Sequence, residues 1–420
     1  MPSYKSLFHV AALFTMTRHS SGASDPASAK YAVSAYAIGD WGSTSDRGTC
    51  CSGKYSYYDL HAQKIVGVVM DKQATIGVPP QVVLGHGDSF YWTGIDSLES
   101  RDARFAATYE ARYDGDNIKN VAWVNVMGNH DYGGANYVCN IGAKLVKCDS
   151  TGQMLQGLEN KFKWQSRYTS PNDDRWHLDD RFFVHRVEDP VTGVSIDIFN
   201  VDMNDADIAG SHGVCCQCYG CAGDDNGGCG SIGRGDKYCC GGDTAMYDTC
   251  INQFVEWADE SRKQLTEKAV ASNATWKLVN SHFSPVQHYK KEGMLKWFDA
   301  LDGTGIHAFI YGHTHGEKHD YSELLRIHFV ENGAGGGMKK ELASTIPAHA
   351  ASYVKRKWAY SGDEYGFFSV EGSQDWLKLQ YHTTDSKWEF TENYAEMTVG
   401  CVATKHCWYI PSDGGEGLVC

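Results

Sequence analysis

Five short motifs, each following an apolar run, carry residues suited to metal chemistry: Gly39-Asp40-Trp41-Gly42, Gly87-Asp88-Ser89-Phe90-Tyr91, Gly128-Asn129-His130-Asp131, Ser281-His282 and Gly312-His313-Thr314-His315. Asp40, Asp88, Tyr91, Asn129, His282, His313 and His315 together offer enough oxygen and imidazole donors to surround two metal ions. A carboxylate between two cations bridges them and holds them about 3.5–4 Å apart; Asp40 and Asp88 are the residues able to do so. A free phenol titrates at about pH 10, so Tyr91 serves as a ligand beside a strongly Lewis-acidic ion such as ferric iron, which would hold it deprotonated. Asn129 brings a neutral carbonyl oxygen. His313 and His315, two apart in an extended segment, fall on one side of the chain and can serve neighbouring ions. Taken singly, each Asp reads as a turn or helix-cap residue and His-Thr-His as a solvated loop. In this order, each after a predicted strand, they point to a dinuclear site.

The elements that must position these residues alternate between strand and helix. Val33 to Ile38, Val82 to Leu84, Val121 to Val126, Trp276 to Val279 and Ile306 to Tyr311 are short apolar runs that each lead into a motif. Between them, Tyr58 to Lys72 carries a helical stripe, and Asp96-Ser97-Leu98-Glu99 resembles a capping box opening a helix to about Tyr113. Ile251 to Ala271 and Met294 to Leu301 read as further helices, and Val194 to Val201 alternates as a strand. Strands at Ile327 to Val330, Phe367 to Val370 and Leu377 to Tyr381 close the body. The alternation predicts α/β layers, with candidate ligands at the carboxyl ends of strands, where such folds place their sites.

Composition narrows the partners. The net charge is −14 and no long Lys/Arg block occurs, which argues against nucleic acid as the main partner. Eight of the 15 cysteines fall between Cys215 and Cys250, a density that favours an oxidising compartment. Residues 1–25 read as a signal peptide with a short apolar core, and no segment is long enough to span a membrane. Residues 26–394 form the catalytic body, interrupted by a Gly- and Cys-rich insert at 211–250, and residues 395–420 form a cysteine-containing tail. The insert reads as a disulfide-stapled loop, with its pairing undetermined; Cys139 and Cys148 are close enough in sequence to pair across a short loop. Asn273-Ala274-Thr275 is a glycosylation acceptor by pattern.

The motifs Gly-Asp-Trp-Gly, Gly-Asp-Ser-Phe-Tyr-Trp-Thr-Gly, Gly-Asn-His-Asp-Tyr and Gly-His-Thr-His, with His282, resemble the purple acid phosphatases of the calcineurin-like metallophosphoesterase superfamily, in particular the small, tartrate-resistant type. The resemblance implies two packed mixed β-sheets flanked by helices, a four-layer α/β/β/α sandwich. It implies ferric iron held by Asp40, Asp88, Tyr91 and His315, and a divalent iron, zinc or manganese held by Asp88, Asn129, His282 and His313. It also implies hydrolysis of phosphate monoesters, small or protein-borne, at mildly acidic pH, by water activated on the metals. Family histidines that contact the phosphate and protonate the leaving group correspond to His130 and, in a shortened loop, His288. The signal-peptide pattern and the cysteine density point to secretion or delivery to a lysosome or vacuole. Three other readings fit the sequence: a phosphodiesterase or nucleotide hydrolase of the same superfamily, an extracellular cysteine-rich structural or adhesion protein with a vestigial metal site, and iron-dependent redox chemistry that generates reactive oxygen species.

Overall fold

The fold is known from a computed structural model that describes residues 24–43, 61–133, 138–139, 146–216, 232–237, 239–385, 389–390, 397–398 and 400–420. The apolar N-terminal run, Cys50, Cys51, Cys218, Cys221 and Cys229 lie outside the described residues. In chain order the strands are β1 (Val33–Ile38), β2 (Val82–Gly85), β3 (Ala122–Asn125), β4 (Trp176–His177), β5 (Phe182–Glu188), β6 (Ser195–Val201), β7 (Trp276–Ser281), β8 (Ala308–Tyr311) and β9 (Glu317–Ser322). They continue with β10 (Ile327–Asn332), β11 (Lys355–Ala359), β12 (Phe367–Gly372), β13 (Trp376–Thr384), β14 (Glu389–Phe390), β15 (Met397–Thr398), β16 (Val402–Pro411) and β17 (Leu418–Val419). The helices are α1 (Ala62–Gln73), α2 (Leu98–Phe105), α3 (Asn129–Tyr132), α4 (Thr151–Ser166), α5 (Ser211–Cys216), α6 (Thr244–Ala271), α7 (Pro285–His288) and α8 (Lys291–Leu301).

Two mixed sheets form the core. The first runs β17-β16-β13-β12-β1-β2-β3-β4 and the second β11-β9-β10-β8-β7-β6-β5. Their centres are parallel: β1, β2, β3 and β4 in the first, and β6, β7, β8 and β10 in the second. Parallel strands buried on both faces read as continuous apolar runs rather than alternating ones, which is how β1, with all six residues buried, reads. Alternate side chains still part company. Ala35, Ala37, Leu84 and Val124 meet Ile198, Leu278 and Ile310 between the sheets. Tyr36, Ile38, Val83 and Trp123 point the other way, against α1 and the aromatic cluster of Trp41, Phe105, Tyr109 and Tyr113. On the far side Val279, Phe309 and Phe329 pack under Leu265 of α6 and Trp297 and Phe298 of α8. The result is the α/β/β/α sandwich that the resemblance implies.

Some boundaries differ from those read in the sequence. The cap of α2 is Ser97, whose hydroxyl accepts from the Ser100 amide at 3.1 Å, while Asp96 is turned away to meet Lys161 Nζ at 2.5 Å. α6 begins at Thr244, seven residues before the apolar stripe, because the Asp243 carboxylate caps Ala245 and Met246. The ends of the cysteine-rich segment are part of a small core: Val214, Cys215, Cys240, Met246 and Cys250 pack with Phe254 and Tyr132. Disulfides join Cys215 to Cys250 and Cys216 to Cys239, and Cys139 pairs with Cys148. Within the segment read as a tail, β16 pairs along β13 from Val402 to Pro411, and Cys407 is joined to Cys420. Buried and half-buried residues alternate from His406 to Ile410, the burial pattern of a strand with one face turned inward.

Candidate metal centre

Each candidate ligand sits just beyond the carboxyl end of a central strand. β1 leads to Asp40, β2 to Asp88 and Tyr91, β3 to Asn129 and His130, β7 to His282, and β8 to His313 and His315. The first sheet thus supplies the oxygen donors and the second the imidazoles. Close approach of these loops requires glycine: a Cβ on Gly128 would lie 2.3 Å from Asp88 Oδ1, and one on Gly312 2.3 Å from Asp40 Oδ2. Asp40, Asp88 and His313 themselves adopt positive φ, at 55°, 50° and 68°. Left-handed backbone at non-glycine residues persists where the surroundings over-determine it, and such residues gather at functional sites. His313 in this conformation breaks the extended run expected around it, and the two histidines of that loop face different partners.

The donors fall into two adjacent groups. In the first, His282 Nε2 lies 3.1 Å from Asn129 Oδ1 and 3.5 Å from Asp88 Oδ2. His313 Nδ1 is 3.1 Å from Asn129 Oδ1 and 3.2 Å from His282 Nε2. In the second group the Tyr91 hydroxyl donates to Asp40 Oδ1 at 3.0 Å and also bonds to Asp88, and His315 Nε2 stands 3.7 Å from Asp40 Oδ1. Asp88 belongs to both groups.

The protonation pattern suits a cation. His282 donates Nδ1–H to the His86 carbonyl at 2.7 Å, which leaves Nε2 a bare lone pair. That lone pair, the Asn129 carbonyl oxygen and an Asp88 oxygen converge as acceptors, an arrangement that a cation between them would stabilise. Burial lowers the basicity of His282, takes His313 well below the ordinary imidazole range and brings His315 down to about 4, so all three stay neutral as ligands must. Burial, then the neighbouring Asp88, pushes the Asp40 carboxyl well above its usual range. Burial acts on Asp88 in the same sense, but His282, His130 and hydrogen bonds outweigh it and hold this carboxyl low. Burial and the two carboxylates raise the Tyr91 phenol well above its ordinary value. Among the described residues, no Lys or Arg forms an ion pair with Asp40 or Asp88. Nitrogen and oxygen donors so arranged fit iron, zinc or manganese.

No protein-family model matches the chain. Tartrate-resistant acid phosphatase type 5 from Oryctolagus cuniculus is 25% identical over 166 residues, 40% of this chain and 39% of that protein. Its counterpart from Homo sapiens is 23% identical over 167 residues, again 40% of this chain and 39% of that protein. The matched region thus spans about two fifths of these curated relatives. A solved structure described as GAP50, the anchor in the inner membrane complex of Plasmodium, superposes with a TM-score of 0.51 at 12% identity, covering 89% of this chain and 90% of that one. The chain is purple acid phosphatase-like, in the metallophosphoesterase fold.

In this purple acid phosphatase-like chain the two other candidate histidines differ in setting. His130 is partly exposed. Its amide donates to Asp88 Oδ1 at 2.9 Å and its Nδ1–H to the Trp92 carbonyl at 3.0 Å, leaving Nε2 available. His288 is 2% exposed and both ring nitrogens are engaged: Nδ1 accepts the Ser284 amide at 2.9 Å, and Nε2 donates to the Thr314 hydroxyl at 3.2 Å. Its ring lies 4.9 Å from that of His313, so it braces the His313-Thr314-His315 loop from behind. Sequence reasoning gave no role to Asp131, although it lies inside a quoted motif. Its carboxylate accepts the amides of Ser89 (3.0 Å), Phe90 (3.1 Å) and Gly128 (2.8 Å), tying the Asp88 loop to the Asn129 loop. Asn280 and His86 went unnoticed as well; each stands at the end of an apolar strand, two positions before a ligand.

Proposed function

We propose that this chain is a hydrolase of phosphate monoesters, working at mildly acidic pH with a dinuclear Fe(III)–M(II) centre in which M is iron, zinc or manganese. Asp40, Asp88, Tyr91 and His315 would hold the ferric ion, and Asp88, Asn129, His282 and His313 the divalent one. Such a pair, when bound, supplies activated water and neutralises charge on the phosphoryl oxygens. The chain's own residues do the rest. Asp131 and the His86 carbonyl fix the donors, so little reorganisation is left for the reaction. His130, with Nδ1 held by the Trp92 carbonyl, presents Nε2 to hold a proton for the leaving alkoxide. His288 enters through the His313–His315 loop. The observation that carries this reading is the convergence of Asp88, Asn129, His282 and His313, three of which place ligand atoms within 4.8 Å of one another.

The fold alone would not carry it, because one architecture hosts many functions and one protein of this fold is described as an anchor. Four disulfides among the described residues support a secreted or lysosomal/vacuolar setting, and no described helix is long and apolar enough to cross a membrane. Turnover of an aryl phosphate monoester and of a bis-aryl phosphodiester, assayed at pH 5 and 7 after loading with iron and zinc, tests the proposal. Monoester turnover that dominates and is abolished by a chelator is expected. Dominant diester turnover would assign the chain to the diesterase branch, and no turnover by a loaded protein would favour a structural role.

A further inference from the structure

The two halves of the candidate centre hang from different sheets, so their spacing depends on how the sheets are fixed to each other. Most of the space between the sheets is apolar and non-directional, filled by residues such as Ala37, Leu84, Ile198, Leu278 and Ile310. An apolar interface of this kind resists separation, but its contacts are non-directional and tie no particular atom of one sheet to a particular atom of the other. The layer directly below the ligands is different. Asn280, fully buried in β7, directs its amide nitrogen to three oxygens: the Gly85 carbonyl of β2 at 3.2 Å, the Val124 carbonyl of β3 at 3.0 Å, and Asn200 Oδ1 of β6 at 2.8 Å. Its carbonyl oxygen accepts Nδ1–H of His86, also fully buried, at 2.6 Å. The backbone carbonyl of the same His86 receives Nδ1–H of His282. Asn280 therefore contacts both sheets within two residues of His282, and His86 stands two residues before Asp88. Directional hydrogen bonds to a buried amide are costly to misalign, so this group sets distance and register where the packing does not.

We infer that Asn280 and His86 form a clamp between the sheets that sets the separation of the histidine and carboxylate halves of the metal centre. Asn280 is a positioning residue: it touches no ligand side chain, and acts through the Gly85 and Val124 carbonyls and the His86 ring. The inference rests on the two-metal reading of the site. Outer-shell partners of metal ligands are worth about 10–100-fold in metal affinity, and a loss in that range is expected when the clamp is removed.

The test compares the whole protein with Asn280→Leu, which keeps the branched skeleton and removes both the donor and the acceptor, and Asn280→Asp, which keeps the acceptor for His86 but sets an oxygen against two carbonyls. Zinc and manganese affinities are measured by chelator competition on protein shown to be folded by its thermal melt, together with crystal structures of the metal-free forms. The expected result is a 10–100-fold weaker affinity in Asn280→Leu, no rescue by Asn280→Asp, and a His282 Nε2 to Asp88 Oδ2 separation that departs from the parent's 3.5 Å. Unchanged affinity with an unchanged separation would overturn the clamp. If Asn280→Leu does not fold, His86→Phe, which breaks the same bond from the other side and keeps the carbonyl to His282, carries the same two readouts. A parent protein that binds no metal would remove the two-metal reading, while the separation in the metal-free crystals would still decide the clamp.

Discussion

At the scale of single residues, Asp88 is the one group shared by both donor sets. It is 1% exposed, and its oxygens are spoken for by the His130 amide, the Tyr91 hydroxyl and the approach of His282. Asp88→Asn keeps the shape and removes the charge. It should lose at least one metal per chain and lower kcat/KM for a phosphate monoester by more than about 100-fold, since even outer-shell changes reach that size. Metal analysis of the folded variant checks it, and full metal content would contradict the shared role. The motif residues were legible because their motifs stood at the ends of apolar runs, and Asp40, Asp88, Asn129 and His313 each follow a glycine that close packing requires. Asn280, His86 and the three-amide grip of Asp131 were not legible in the same way. Their importance lies in partners up to about two hundred positions away in sequence, as with the bond between His86 and Asn280, and no local pattern reports such a partner.

At the scale of elements, the central strands and the long helix were readable from periodicity, while starts and ends were set by polar side chains. Two capping candidates, Asp96 and Ser97, stand side by side; the buried ammonium of Lys161 takes the first and leaves the helix to the second. α6 shows the same principle, since Asp243 extends the helix back into a segment whose glycines and cysteines read as loop. Asp243→Ala removes a carboxylate that accepts two amides and should cost about 1 kcal/mol, seen as a lower denaturant midpoint with unchanged metal content. A change in metal content would mean that the insert's base is coupled to the centre. Strand β9 was missed for a related reason. Its buried positions are occupied by Glu, Lys, His and Asp, with His319 and Lys318 at 0% exposure, and these polar residues hide the apolar run that a buried strand would otherwise display.

At the scale of the whole molecule, the links between the two sheets include apolar packing, the clamp below the centre, the Asn332 amide of β10 donating to the Ala37 carbonyl of β1, the Tyr381 hydroxyl of β13 donating to Glu317 of β9, and a chain of imidazoles elsewhere in the sandwich. His406 Nε2 is 3.0 Å from His319 Nδ1, and His319 Nε2 is 2.8 Å from His328 Nδ1, so β16, β9 and β10 are linked in one line. Burial lowers His406 to about 4 and His328 to about 3. A base whose folded value lies below its unfolded value of about 6.5 contributes full stability above that pH and loses it as the pH falls toward the folded value. Raised carboxyls such as Asp205, near 6, act in the opposite sense, so a difference between two proteins is the clean measurement. His406→Gln keeps a donor to His319 but cannot take a proton. Its stability relative to the parent should rise between pH 7 and pH 4.5 by on the order of 2 kcal/mol, read by denaturant melts at each pH; a constant difference would show that His406 is not held neutral by the fold.

Five loops from two sheets build adjacent donor sets joined at Asp88, and Tyr91 stands in the set proposed to hold a trivalent ion. The visible spectrum and metal content of the purified protein, beside those of Tyr91→Phe, test this arrangement most directly. The account predicts about two metals per chain, one of them iron, and a purple or pink band that vanishes in the variant. A reconstituted protein that binds no metal, or an iron-loaded one whose colour is unchanged by the loss of the Tyr91 hydroxyl, would contradict it.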